Sequence, residues 1–309
     1  MEREEYVLKT EKLTKIYGKH AVVNEVSMHV KKGDIYGFIG KNGAGKTTFM
    51  KMVCGLAAPA SGNMELFGKT DLEVQRKRIG ALIENPGVYP NMTAYENLDI
   101  VRRNFGIVDK KCVSKMLEFL GLSDAGTKKV KAFSMGMKQR LGIAISLLRN
   151  PDFLVLDEPI NGLDPEGIKE IRDLLLKLNK ERNVTILISS HILGELSKLA
   201  TRYGIIRDGI LIDEFDAESL TERCKRCLKI VVDDVGLASN ILEESLGIYN
   251  YDVLENHIIR IFEKLEETAM VNHILVMGGV ALTESYLAGQ DLEGYFMDLL
   301  GNSDKSERN

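Results

Sequence analysis

The run Gly40-Lys41-Asn42-Gly43-Ala44-Gly45-Lys46-Thr47 fits the pattern G-x-x-x-x-G-K-[ST], and Thr48 follows it. Glycines at those positions let the backbone curl so that successive N–H groups point inward, a concave surface suited to phosphate oxygens. A helix opening there adds the positive end of its dipole, roughly half a charge, to the same cradle. Lys46 is then placed to reach the β- and γ-phosphates of a nucleotide, and the Thr47 hydroxyl to ligate Mg²⁺. A chance glycine turn beside a lysine would give the same string. It would have no reason to follow the compact apolar run Ile35–Ile39 and to precede the helical stretch Thr47–Val53.

A second set of chemically capable residues lies further along. Phe153-Leu154-Val155-Leu156 is an apolar run that ends in Asp157 and Glu158. A buried strand that emits its first charges at its C-terminal tip places them at the ligand edge of a parallel sheet. There Asp157 can hold Mg²⁺ through water, and Glu158 can act as general base on an attacking water. The pair would serve equally as a plain helix N-cap, and the phosphate loop upstream is what favours catalysis. Val184–Ile188 is a further apolar run, closed by Ser189-Ser190-His191, and its histidine emerges on the edge that carries Lys46 and Asp157. Asn161-Gly162-Leu163-Asp164 reads as a turn able to position Glu158.

These residues need a scaffold that brings strand ends together. Short apolar runs alternate with longer helical patterns over residues 1–212, the rhythm of an α/β fold with a parallel sheet. From about Glu84 to Asn150 the pattern is mostly helical, with a capping box at Thr93-Ala94-Tyr95-Glu96. A helical lobe of about residues 85–150, inserted into the sheet domain, is expected. Asp213 to Lys225 reads as a polar linker or short connecting helix, dividing a domain of residues 1–215 from one of residues 216–309. Beyond it come a strand at Leu228–Asp233 and a helical face of Leu237, Ile241, Leu242 and Leu246. A hairpin joins Asp252–Glu255 to Ile258–Phe262 through Asn256-His257. Leu265, Ala269, Asn272 and Leu275 keep helical spacing, and Val280–Ser285 returns to strand. The order βαββαβ is that of a small ferredoxin-like α+β domain, with a last helix expected at Leu292–Leu300.

Phe133-Ser134-Met135-Gly136-Met137-Lys138-Gln139-Arg140-Leu141 resembles the signature motif of the nucleotide-binding subunits of ABC (ATP-binding cassette) transporters. The resemblance runs over about residues 6–215, with the family's motifs in order. It implies a phosphate-loop NTPase sheet domain with an inserted helical lobe, and ATP with Mg²⁺ as ligands. Tyr17 would stack on adenine, and Asn42, Gly43, Ala44, Gly45, Lys46, Thr47 and Thr48 would hold the phosphates. Thr47, Asp157 and Glu84 would serve the metal. Glu158 would be the catalytic carboxylate, with Lys46 and His191 on the γ-phosphate. Ser134 and Gly136 would complete the ATP site of an opposite protomer, and Asp164 would lie in the loop that crosses to it. Two chains, identical or paired with a related subunit, would then enclose two ATP molecules. Two departures from the commonest family pattern stand out: Glu84 replaces a glutamine, and Met135 and Met137 replace glycine and glutamine. With Glu84–Thr93 and Asp291–Phe296, they resemble the branch typified by bacitracin-resistance and lantibiotic-immunity ATPases.

Lys and Arg total 41 against 45 Asp and Glu, a net charge of −4, so no basic footprint announces a nucleic-acid partner and none is expected. Cys54, Cys112, Cys224 and Cys227 are spaced unlike a secreted disulfide framework, and the lone Cys224-Lys225-Arg226-Cys227 pair lacks the further ligands of a zinc site. No stretch approaches the ~20 apolar residues that cross a bilayer, and Met1–Glu5 is too charged for a signal peptide. The expected protein is a cytoplasmic ATPase (ATP and water to ADP and phosphate), peripheral on the inner face of the cell membrane through a separately encoded permease. Glu84–Thr93 would receive a helix of that permease. The branch implies export of a peptide antibiotic, drug or lipid-like compound. The alternative, a soluble ATPase of this class working on ribosomes or DNA, calls for a second cassette or a long inserted coiled coil. The single phosphate loop and the short span from Lys46 to Asp157 supply neither.

Overall fold

The structure, a computed structural model, describes residues 5–125, 127–289 and 294–296, and the chain divides into two units, Met1–Ala217 and Glu218–Asn309. The first opens with β1 (Tyr6–Tyr17), β2 (His20–Val26) and β3 (His29–Lys31), an antiparallel set that the sequence reading did not single out. Next, β4 (Ile35–Ile39), buried along its whole length, runs into α1 (Lys46–Val53). β5 (Ser61–Leu66) returns to pair with β1, and α2 (Leu72–Gln75) leads to β6 (Ile79–Leu82).

The helical lobe follows as α3 (Ala94–Asn104), α4 (Lys111–Phe119) and α5 (Met135–Leu147). Helix α3 starts at the expected capping box. Thr93 Oγ1 accepts the Glu96 N–H at 3.2 Å, and the Glu96 carboxylate accepts the Thr93 N–H at 2.7 Å. Loss of such a cap costs about 0.5–2 kcal/mol. Helix α5 presses onto the chain leaving β6, since a Cβ at Gly142 would lie 2.9 Å from Pro86 and 3.0 Å from Leu82.

β7 (Phe153–Asp157), α6 (Pro165–Arg182), β8 (Thr185–Ser190), α7 (Leu193–Leu196), β9 (Arg202–Arg207) and β10 (Ile210–Asp216) complete the unit. The sheet order is β10-β9-β4-β8-β7-β6, parallel apart from the antiparallel edge strand β10. β4, β7 and β8 are buried throughout, which is why they read as continuous apolar runs. Phe38 of β4 packs on Phe49 of α1 with ring centroids 5.3 Å apart, beside Val155 and Leu187. Each side chain buried in this way stabilises the fold by about 1.5–3 kcal/mol. One strand, β8, separates β4 from β7, and the three end on the same edge.

The expected linker is corrected at its start. Asp213–Asp216 belong to β10, paired with Ile205–Arg202 of β9, and only then does the chain enter α8 (Ala217–Cys224). Glu214 explains the misreading: its carboxylate accepts the Tyr36 hydroxyl and the His29 N–H, each at 2.9 Å.

The second unit holds β11 (Cys227–Val232), α9 (Val235–Glu244), β12 (Tyr251–Leu254), β13 (Ile258–Ile261), α10 (Thr268–Met277) and β14 (Leu282–Ala288). Its strands lie in the order β12-β13-β11-β14, antiparallel throughout, the ferredoxin-like arrangement. Ile230, Ile259 and Ile261 of the sheet meet Ile241, Leu242, Val271 and Leu275 of the two helices in one core. The last strand begins later than expected, because Val280 is drawn into that core ahead of it. Of the helix expected at Leu292–Leu300 and of the segment Asp291–Phe296, residues 294–296 alone are described, and they are helical; the rest lie outside the described residues.

Candidate nucleotide site

The phosphate loop joins β4 to α1. Gly43 and Gly45 have φ of 84° and 106°, and a Cβ at Gly45 would stand 2.5 Å from the Val22 carbonyl oxygen. Conformation and close approach both demand glycine there. The loop wraps Asn42, Gly43, Gly45, Lys46, Thr47 and Thr48 around a cavity of about 190 Å³ that Val22 and Glu158 close. Ala44 does not line it, because its N–H completes the loop's own turn on the Lys41 carbonyl at 3.1 Å. Lys46 is buried at the cavity wall. Its ammonium donates to the Gly40 and Lys41 carbonyls at 2.6 and 3.3 Å and lies 3.3 Å from Glu158 Oε1.

Behind the cavity the strand tips are wired together. Thr47 Oγ1 donates to Asp157 Oδ2 at 2.7 Å. Ser189 Oγ donates to Asp157 Oδ1 at 2.7 Å and accepts the Glu158 N–H at 2.9 Å. His191 Nδ1 meets Glu158 Oε2 at 2.8 Å. Lys46, Thr47, Asp157, Glu158 and His191 thus converge from three elements. Glu158 Oε1 is buried with no hydrogen-bond partner. Glu158 also lines the cavity, so a water bound there has a carboxylate to which it can donate. Asn161 contributes through the backbone, its N–H on the Glu158 carbonyl at 3.2 Å.

Two expected residues sit off this cavity. Tyr17 is half exposed, with the Lys15 ammonium 5.0 Å from its ring centroid. Glu84, at φ 61°, binds Lys51 of α1 at 2.6 Å. That hydrogen bond is the main reason the Lys51 ammonium titrates above the ordinary lysine range.

A second cavity, of about 470 Å³, gathers Ser134, Met135, Gly136, Arg140, Gly162, Leu163, Asp164, Glu166, Gly167 and Glu170. Two helices begin in its wall. Ser134 Oγ accepts the Met137 N–H at 3.2 Å and caps α5; Asp164 accepts the Gly167 N–H at 3.0 Å and caps α6, with Pro165 at its first turn. The structure therefore separates the residues into two groups, one around Lys46 and one around Ser134. Sequence reasoning passed over Ser189 as a site residue, although a small hydroxyl closing an apolar run was a signal that it faces something polar.

A family profile described as ABC transporter matches residues 23–161. The chain is 43% identical over 298 residues to the bacitracin transport ATP-binding protein BcrA of Bacillus licheniformis, covering 96% of this chain and 97% of that one. The chain belongs to the ABC transporter ATP-binding family. The lantibiotic transport ATP-binding protein SrtF of Streptococcus pyogenes is 44% identical over 219 residues, 70% of this chain and 95% of that one. Among solved structures, the ADP conformation of MJ1267, an ATP-binding cassette of an ABC transporter, superposes with a TM-score of 0.64 at 26% identity, over 71% of this chain and 94% of that one. As a family member the chain is the ATP-binding and ATP-hydrolysing subunit of a transporter. No described helix is long and apolar enough to cross a membrane.

The residues fit a magnesium nucleotide. Thr47 and Asp157 present a hydroxyl and a carboxylate 2.7 Å apart beside the phosphate loop. Mg²⁺ favours this sparse oxygen set, because it keeps several waters and takes its remaining ligands from phosphates. Among the described residues no group of three or more His, Cys, Asp or Glu could hold a metal without such help.

Proposed function

We propose that two such subunits, two copies of this chain or this chain and a relative, close face to face on two ATP molecules. Each molecule would lie between the Lys46 cavity of one subunit and the Ser134 cavity of the other. The observation that carries this is the presence on one chain of two cavities with no residue in common, one lined by the phosphate loop and one by two capped helix starts. ATP carries several negative charges, and helix N-termini offered from both sides neutralise them. Nucleotide then holds together surfaces with little other reason to associate, and hydrolysis releases them, a differential binding that can drive a partner.

Within each site Lys46 exchanges its hold on the Gly40 and Lys41 carbonyls for phosphate oxygens. Thr47 and Asp157 would hold Mg²⁺, which when bound would supply positive charge to the phosphates. Glu158 takes the proton of the attacking water through Oε1, the oxygen that faces Lys46, and His191 steadies that carboxylate through Oε2. Tyr17 and Glu84 join at the rim, one toward adenine and one toward the metal, once Lys51 releases Glu84.

The partner is a separately encoded membrane permease, received at Glu84–Thr93, with the subunit peripheral on the cytoplasmic face. The cargo is a peptide antibiotic, drug or lipid-like compound, a reading supported by relatives named for bacitracin and lantibiotic transport, and export follows from the resemblance to that branch. Likeness to transport proteins along nearly the whole chain, second unit included, favours this over a soluble role on ribosomes or DNA. The test is reconstitution with the permease in proteoliposomes. Bacitracin or a lantibiotic should stimulate phosphate release in the wild type and not in Glu158→Gln. ATP hydrolysis indifferent to every such peptide would remove the cargo assignment.

A further inference from the structure

Ser189 is fully buried at the tip of β8, in register with Asp157 on one side and Phe38 on the other. Its single hydroxyl engages two consecutive residues in different ways, the side chain of Asp157 and the main chain of Glu158. With Oδ1 of Asp157 held, Oδ2 is the oxygen turned to Thr47. Glu158 has φ of 50°, the left-handed region, which is strained for a residue with a side chain and persists where its surroundings over-determine it. Accepting the Glu158 N–H is one such determinant. From that turn the carboxylate reaches Lys46 with one oxygen and His191 with the other.

We propose that Ser189 is a positioning residue for the ATPase reaction. Its hydroxyl fixes the Asp157 oxygen that faces the metal position and the backbone turn that aims Glu158 at the attacking water. The proposal rests on the roles given above to Asp157 and Glu158. The Ser189 hydroxyl is engaged by Asp157 and Glu158, and Ser189 is not part of the cavity lining, so it acts through those two residues. A purely structural serine would affect stability alike with and without ligand, whereas this one acts where metal and nucleotide meet.

The experiment compares wild type, Ser189→Ala and Ser189→Thr in the full chain. ATP affinity is read with a fluorescent ATP analogue, since the chain has no tryptophan, in EDTA and in Mg²⁺, alongside kcat, KM and Tm. In Ser189→Ala, affinity in EDTA should stay unchanged and the gain in affinity on adding Mg²⁺ should shrink severalfold. kcat should fall about 10- to 100-fold, the cost of slight misplacement of a catalytic group, and Ser189→Thr should recover both. If alanine does not fold, Ser189→Cys, nearly isosteric with a weak donor, gives an intermediate loss. A Ser189→Ala protein equal to wild type in kcat and Mg²⁺ response would overturn the proposal. So would equal losses in EDTA and Mg²⁺ with a lowered Tm, the mark of a structural serine. Wild type lacking any Mg²⁺-dependent hydrolysis would be a different failure, that of the site itself.

Discussion

The two cavities of the first unit satisfy their polar groups in opposite ways. Around Glu158 the hydrogen bonds join residues far apart in sequence, Thr47 to Asp157, Ser189 to Asp157 and His191 to Glu158, and much of the network is buried. Around Ser134 and Asp164 each side chain bonds a backbone N–H three residues on, and the cavity is lined by helix starts rather than strand tips. Buried long-range networks hold geometry to within the tolerance that chemistry needs. Locally capped helix ends need no such network, and they present dipoles to whatever anion arrives. One chain therefore carries a cavity built on a buried long-range network and a separate one built on two locally capped helix starts. In the pairing proposed above, each would supply what the other lacks.

Substitutions can break this contrast in graded steps. Glu158→Gln removes the proton acceptor but keeps the shape, so phosphate release should fall on the order of 10²–10⁴-fold while nucleotide affinity survives. Single-turnover assays with separate binding curves check both halves of that expectation. Lys46→Ala should lose about 10²–10³-fold in rate, and affinity with it, because the charge aimed at the phosphates disappears. Gly136→Asp adds a negative charge to the other cavity. It should leave the affinity of an isolated chain unchanged and abolish hydrolysis at concentrations where chains pair. An equimolar mixture of Lys46→Ala and Gly136→Asp chains should recover part of the activity, since one of the two interfaces in a mixed pair is intact.

The smallest effect is expected at the rim. Lys51 and Glu84 are partly exposed, at 33% and 60% of their side chains, so the pair is worth about 0–1 kcal/mol. Because the Lys51 pKa is raised in the fold, the stability it adds is complete below its ordinary value of 10.5 and is lost as pH rises through the raised one. Lys51→Met should lower Tm slightly at neutral pH, with the difference from wild type vanishing in strongly alkaline buffer. It also frees Glu84, so any change in the Mg²⁺ dependence of hydrolysis would tie the rim to the reaction centre.

What could be read from the sequence follows the same division. The phosphate loop is contiguous and its glycines have no substitutes, so eight residues sufficed. Asp157 and Glu158 were legible because a wholly apolar strand of a parallel sheet that ends in two carboxylates delivers them to the edge where ligands bind. Ser189 was legible only in part: a hydroxyl closing an apolar run marks a polar neighbour, but which neighbour it is depends on the lateral register of β8 against β7, which the local sequence does not carry. The antiparallel strands β1, β2 and β3 escaped notice because β1 serves several partners with breaks in register, which blurs its alternation. Glu214 made part of an edge strand look like linker, because a carboxylate satisfied by Tyr36 and His29 is indistinguishable in sequence from one satisfied by water. The second unit was easier: two amphipathic helices and four short strands alternate cleanly enough to give their order.

The division of labour between the two cavities is tested most directly by the mass of Glu158→Gln in solution, measured by light scattering across a range of ATP concentrations with Mg²⁺. The expected result is a monomer without nucleotide and twice that mass with ATP, reverting to monomer when Gly136→Asp is added to the same chain. A protein that binds ATP yet stays monomeric at every concentration would contradict the proposal that each site is completed by a second subunit of the same kind.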